Sequence, residues 1–65
     1  MIIEIAKACI AQFSKADRRA FESYGESYAI EWVEWAHRTG MAALKNLTPT
    51  QRQRIAADIT NLLTL

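Results

Sequence analysis

The side chains best suited to chemistry in this sequence are its single cysteine, Cys9, and its single histidine, His37. Together they make half of a four-ligand zinc site, and their separation matches no familiar zinc spacing. Cys9 falls on the apolar face of a predicted helix, so we expect an unreactive thiol. His37 has no neighbouring group that would orient it as a catalytic base. The sequence therefore predicts no catalytic residue, no metal site and no cofactor.

Four glutamates in the middle of the chain could suggest metal binding or mimicry of nucleic acid: Glu22, Glu26, Glu31 and Glu34. At about 100° per residue they point to different sides of a helix. They also lack the carboxylate-plus-histidine motif of di-metal helical bundles. We expect these carboxylates to be solvated.

Eight basic and seven acidic side chains give a net charge of +1. A DNA-binding domain of this size usually carries a clear excess of basic residues, so the charge gives that function no support. One small basic cluster consists of Lys15, Arg18 and Arg19. It is either a solvated surface or a contact for an acidic partner.

The chain has 65 residues, of which 51% are apolar, and one cysteine cannot form an intrachain disulfide. Below about 70–80 residues a single core rarely supplies more than about 3–5 kcal/mol. The remaining sources of stability are efficient helix packing or oligomerisation. The N-terminal residues contain Glu4 and Lys7 and predict neither a signal peptide nor a membrane span. We therefore expect a cytoplasmic protein.

Two glycines, one proline and the absence of alternating apolar residues predict an all-α fold. The apolar spacing predicts one helical domain over 1–65, with three main helices at about 2–13, 15–38 and 49–63. A short helical turn is expected at 41–47. Continuity of the first two helices through Ser14 stays open.

The predicted helix ends rest on capping residues. Ser14 and Asp17 form a capping box before the second helix. Thr48 and Gln51 form another before the last helix, with proline at its first position. Gly40 can close the second helix.

The second predicted helix carries an aromatic stripe, defined here as Phe21, Tyr24, Gly25, Tyr28, Trp32 and Trp35. At 1.5 Å per residue an unbroken helix over 15–38 spans about 36 Å. A 65-residue globule is expected to be only about 28 Å across. Unless it breaks at Gly25, the helix overhangs its own domain. The stripe is therefore an intrachain core, a seam between two copies, or a surface for a different protein.

These features favour binding over catalysis. They predict a small non-enzymatic helical regulator or inhibitor that forms a homodimer and acts by binding another protein. Short chains of this kind are typical of bacteria, phages and mobile elements, which is an association and not a physical argument. The docking residues would be the exposed end of the aromatic stripe and the basic cluster.

The alternative is a dimeric DNA-binding transcriptional regulator. The turn at 41–47 and the last helix could form a helix-turn-helix in which Gln51, Gln53 and Arg54 meet base edges. The low net charge and the Thr48-Pro49 turn, where glycine is frequent, weigh against this function.

Overall fold

The computed structural model describes residues 2–65, so Met1 lies outside the described residues. This part of the chain is all-α, as predicted, and contains no strand. Its helices are α1 (Ile2–Ala11), α2 (Lys15–Tyr24), α3 (Glu26–Arg38) and α4 (Pro49–Leu63). A single 3₁₀ turn, Ala42–Leu44, stands where a short helical turn was predicted at 41–47.

Both predicted capping boxes are confirmed. The Asp17 amide donates to Ser14 Oγ at 3.0 Å, and the Ser14 amide donates to Asp17 Oδ2 at 2.9 Å. At α4, the Gln51 amide donates to Thr48 Oγ1 at 3.2 Å and the Thr48 amide donates to Gln51 Oε1 at 2.9 Å. Each box satisfies amides that a helix start leaves without intrahelical partners. The first two helices are therefore not continuous through Ser14. Helix α1 ends at Ala11, two residues before the predicted end at Phe13.

The prediction of one helix over 15–38 is wrong, because Gly25 interrupts the helix and separates α2 from α3. This residue has φ 64° and ψ −139°, a conformation that glycine adopts without the steric cost of a Cβ. Its amide closes α2 by donating to the Phe21 carbonyl at 2.6 Å. Its carbonyl accepts from the Ala29 amide at 3.3 Å, in the first turn of α3. Phe21, in the last turn of α2, is buried in the core.

The break also removes the overhang expected from helix length. Helices of 10 and 13 residues span only about 15 and 20 Å. The described chain measures 29 × 22 × 18 Å, so both helices fit within it. The length of the second helix therefore gives no argument for a second copy.

The core lies where α4 packs against both α1 and α3, while α2 packs mainly against α3. Leu44 of the 3₁₀ turn is fully buried there, together with Val33, Ile55 and Ile59. The remaining core side chains are Ala6, Cys9, Phe21, Ala29, Trp32, Ala36 and Ala56. Apolar burial of this kind is the main favourable contribution to folding.

Candidate functional site

The structure divides the aromatic stripe between the core and the surface. Phe21 and Trp32 are each only 6% exposed, whereas Tyr24 is 70% and Trp35 is 53% exposed. Tyr28 is half-buried, and the sixth member of the stripe, Gly25, forms the break between the helices. The stripe is therefore not one continuous face.

The buried face of α3 is centred on small residues and not on the large aromatics. Ala29, Val33 and Ala36 are almost completely buried, with Trp32 at one edge. At 100° per residue this face is rotated by roughly 70° from the one predicted. The available signal was the spacing of the small residues, which allows another helix to approach closely. Sequence reasoning gave more weight to the aromatic area.

Trp35 stands at the border of two open surface grooves. The first, of about 640 Å³, is lined by Trp35 together with Asp17, Tyr28, Ile30, Glu31, Trp32, Glu34 and Arg38. The second is lined by Trp35 with Gln12, Asp17, Trp32, Thr39 and Met41. We call the first of these the Trp35 groove.

The indole of Trp35 is held by aromatic packing beneath it. Its ring centroid lies 6.1 Å from that of Trp32, at an interplanar angle of 57°. Trp32 in turn lies 4.8 Å from the ring of Phe13, in the segment between α1 and α2. Aromatic pairs at such separations favour tilted arrangements. The exposed indole therefore rests on a buried support.

Asp17 connects the start of α2 to α3. Besides capping α2, it accepts a hydrogen bond of 2.6 Å from the Tyr28 hydroxyl. Partial burial alone would raise the pKa of Asp17, but the bonds from Tyr28 and Ser14 outweigh it and hold this pKa below its ordinary value. The same bond raises the pKa of Tyr28 to about 12, since ionisation would remove the donated proton.

Replacing Tyr28 with phenylalanine tests this connection. A hydrogen bond to a charged group contributes about 1.5–3 kcal/mol, so at pH 7 we expect a loss near the lower figure at this partly exposed site. Because the folded pKa of Asp17 is lowered, its stabilisation is complete above about pH 4 and is lost as the pH falls through the folded pKa. The difference between wild type and Tyr28→Phe in urea unfolding should therefore shrink at pH 2.5. Tyr24→Phe is the control, because Tyr24 is largely exposed. An equal loss in both variants, or a loss independent of pH, would contradict the role of Asp17.

Arg52 forms a second cross-connection, which sequence reasoning missed. Its Nε donates to Glu34 Oε2 at 2.9 Å, and its Nη1 donates to the Leu47 carbonyl at 2.9 Å. The bond from Arg52 lowers the pKa of Glu34. Arg52 thus joins α3, α4 and the loop between them. Because Glu34 and Arg52 are 18 residues apart, no local sequence pattern predicts this ion pair.

The basic cluster and the candidate DNA-contacting residues lie elsewhere on the surface. Lys15, Arg18 and Arg19 are exposed on α2. The three residues at the start of α4, Gln51, Gln53 and Arg54, are also exposed. However, Gln51 is occupied by its capping bond, and the segment before α4 is a 3₁₀ turn and not an α-helix.

Cys9 is buried in the core, and its burial raises the thiol pKa to about 11. At neutral pH such a thiol is a poor nucleophile. His37 is half-buried on α3, with its Nε2 3.5 Å from Arg52 Nη1. Among residues 2–65, no group of three or more His, Cys, Asp or Glu side chains is placed to hold a metal ion.

Within the described chain, every helix is too short or too polar to cross a membrane. Comparison with known proteins finds no family model, no curated protein and no solved structure that matches this chain.

Proposed function

We propose that this chain is a small non-enzymatic regulator or inhibitor that acts by binding another protein through the surface around Trp35. The observation that carries the proposal is the position of Trp35, half exposed between two grooves and supported by a buried tryptophan. Tryptophan is enriched among the residues that dominate binding energy at protein interfaces.

Two other exposed apolar side chains line surface grooves on this part of the molecule. Ile30 is 42% exposed and lines the Trp35 groove. Tyr24 lines a third groove, and two residues of that groove, Tyr28 and Glu31, also line the Trp35 groove. Exposed apolar side chains beside a groove are a common mark of an interaction site. The proposal therefore uses Trp35 and Ile30, which line the same groove, and leaves Phe21 and Trp32 to the core.

A homodimer is a further proposal for the same protein. Its support is the exposure of Tyr24, which does not line the Trp35 groove, since the break at Gly25 removes the argument from helix length. Sedimentation over a micromolar concentration series tests it. A folded monomer at every concentration would exclude the dimer and leave binding to another protein unaffected.

The DNA-binding alternative rests on the exposure of Gln53 and Arg54 at the start of α4. Titration of labelled DNA over a salt series tests it, because nonspecific binding to phosphates falls steeply with salt. Sequence-preferring binding that survives physiological salt, and is lost in Arg54→Ala, would replace the proposal above.

The proposal itself is tested by quantitative capture from cell extract with three immobilised proteins: wild type, Trp35→Ala and Leu65→Ala. Leu65 is a fully exposed apolar residue that lines neither groove beside Trp35, so its variant is the matched control. Removal of a dominant interface residue costs at least about 2 kcal/mol, so we expect the affinity for the captured protein to fall by roughly thirtyfold in Trp35→Ala alone. Circular dichroism checks that both variants remain folded. A captured protein held equally by all three would contradict the proposal.

A further inference from the structure

The chemistry of the Trp35 groove indicates what kind of segment it accepts. Glu31 lies four residues before Trp35 on α3, so its carboxylate emerges one turn away on the same side of the helix. Both residues line the groove, and both are exposed. An indole face and a carboxylate side by side are the two groups that attract an organic cation.

The charges of the groove are unequal. Glu34 also lines it, but Arg52 balances its charge at 2.9 Å. Asp17 is bound by neutral donors, the Tyr28 hydroxyl and the Ser14 amide, and therefore keeps its negative charge. Glu31 has no basic side chain within 4.0 Å in residues 2–65. Asp17 and Glu31 thus face a single lining cation, Arg38.

We propose that the Trp35 groove binds a basic segment of a partner protein, with an arginine side chain lying over the Trp35 indole beside Glu31. This inference rests on the proposed function, because it names the chemistry of the partner for the same surface. Arginine fits better than lysine, because its planar guanidinium can stack on the ring while its N–H groups donate to a carboxylate. Arg38 follows Trp35 by three residues on α3, whereas Glu31 precedes it by four, so the two charges lie one turn away in opposite directions. Arg38 repels a cation, which favours binding at the Glu31 side of the indole.

A second copy of this chain fits the groove less well. Its basic cluster, Lys15, Arg18 and Arg19, points at least about 100° around α2 from Asp17, which lines the groove. Cluster and groove therefore occupy different faces of one molecule. A two-fold dimer held by this contact would need both faces within one interface.

The test is a titration of ¹⁵N-labelled protein with a capped five-residue peptide containing one arginine between two leucines. The matched probe has citrulline in place of arginine, which keeps the shape and removes the charge. We expect saturable shifts of the Trp35 indole N–H and the Glu31 amide with the arginine peptide. Glu31→Gln and Trp35→Leu should each weaken binding by about fivefold. Arg38→Gln should strengthen it by about twofold, because it removes a like charge.

Four results would overturn the inference: equal binding of the citrulline peptide, no saturable shift, shifts away from the groove, or weaker binding by Arg38→Gln. Self-association that Trp35→Leu abolishes would also overturn it, since a second copy would then fill the groove. If capture of a partner depended on Trp35 but not on Glu31, the proposed function would still hold, but the inference that an arginine binds in the groove would be wrong. Failure of the proposed function is distinct, because it is read from capture by Trp35→Ala and not from the peptide.

Discussion

Replacing Leu44 with alanine is expected to lower the free energy of unfolding by about 2–5 kcal/mol. Leu44 is 0% exposed and lies in the 3₁₀ turn that packs against both α1 and α3. Truncation removes buried methyl groups and leaves a cavity that the surrounding helices close only in part. At roughly 0.05–0.15 kcal/mol per residue, a chain of this length has only about 3–10 kcal/mol in total. We therefore expect Leu44→Ala to be partly unfolded at 25 °C.

Urea unfolding followed by circular dichroism measures this loss. Leu65→Ala is the matched control, because it makes the same truncation at a fully exposed position. Its stability should stay within about 0.5 kcal/mol of wild type. A loss below about 1 kcal/mol in Leu44→Ala would mean that the turn is not a central part of the core.

Replacing Gly25 with alanine is expected to lower the free energy of unfolding by about 1–3 kcal/mol. A Cβ at this position would meet no atom within 4 Å, so the cost comes from the backbone alone. At φ 64° a residue with a Cβ is strained, and alanine instead favours a helix that continues from α2 into α3. That continuous helix would place Asp17 and Tyr28, 11 residues apart, about 16 Å from each other along the axis and so break their hydrogen bond. Either response lowers stability.

Thermal unfolding and near-ultraviolet circular dichroism measure the two responses. A strained but native chain keeps the aromatic signal, whereas a continuous helix gains helical signal and loses the tertiary signal. Ser23→Ala is the control, because it makes a favourable helix substitution at an exposed position of α2. If Gly25→Ala were as stable as Ser23→Ala, the break would not depend on glycine.

The sequence predicts most of the helix boundaries because their signals are local. The capping box of Ser14 and Asp17, and that of Thr48 and Gln51, both act within one turn. Each box accepts hydrogen bonds from backbone amides that have no acceptor within the helix, and every helix start has such amides regardless of its tertiary surroundings. The start of α4 at Pro49 is therefore found where it was predicted. The burial of Cys9 also follows from the apolar face of α1.

The break at Gly25 needed more than local information. Glycine permits a left-handed conformation but does not require it, and the apolar spacing continues across the position. The choice depends on what the break allows, which is the hydrogen bond between Tyr28 and Asp17. This bond joins two separate helices, α3 and α2. The aromatic stripe was accordingly predicted as one face, although the fold divides it.

The candidate site shows the same division. By itself the sequence determines an all-α chain, its capped helices and the position of aromatic residues near Glu31. It does not determine which of these aromatic residues are exposed. Only the tertiary structure decides that Trp32 is buried and Trp35 exposed, because α3 packs against α4 with Ala29, Val33 and Ala36 buried, which fixes the rotation of α3. It also decides which charges remain uncompensated, since Arg52 reaches Glu34 across 18 residues. Helix caps depend on neighbours in sequence, whereas burial and charge pairing depend on neighbours in space.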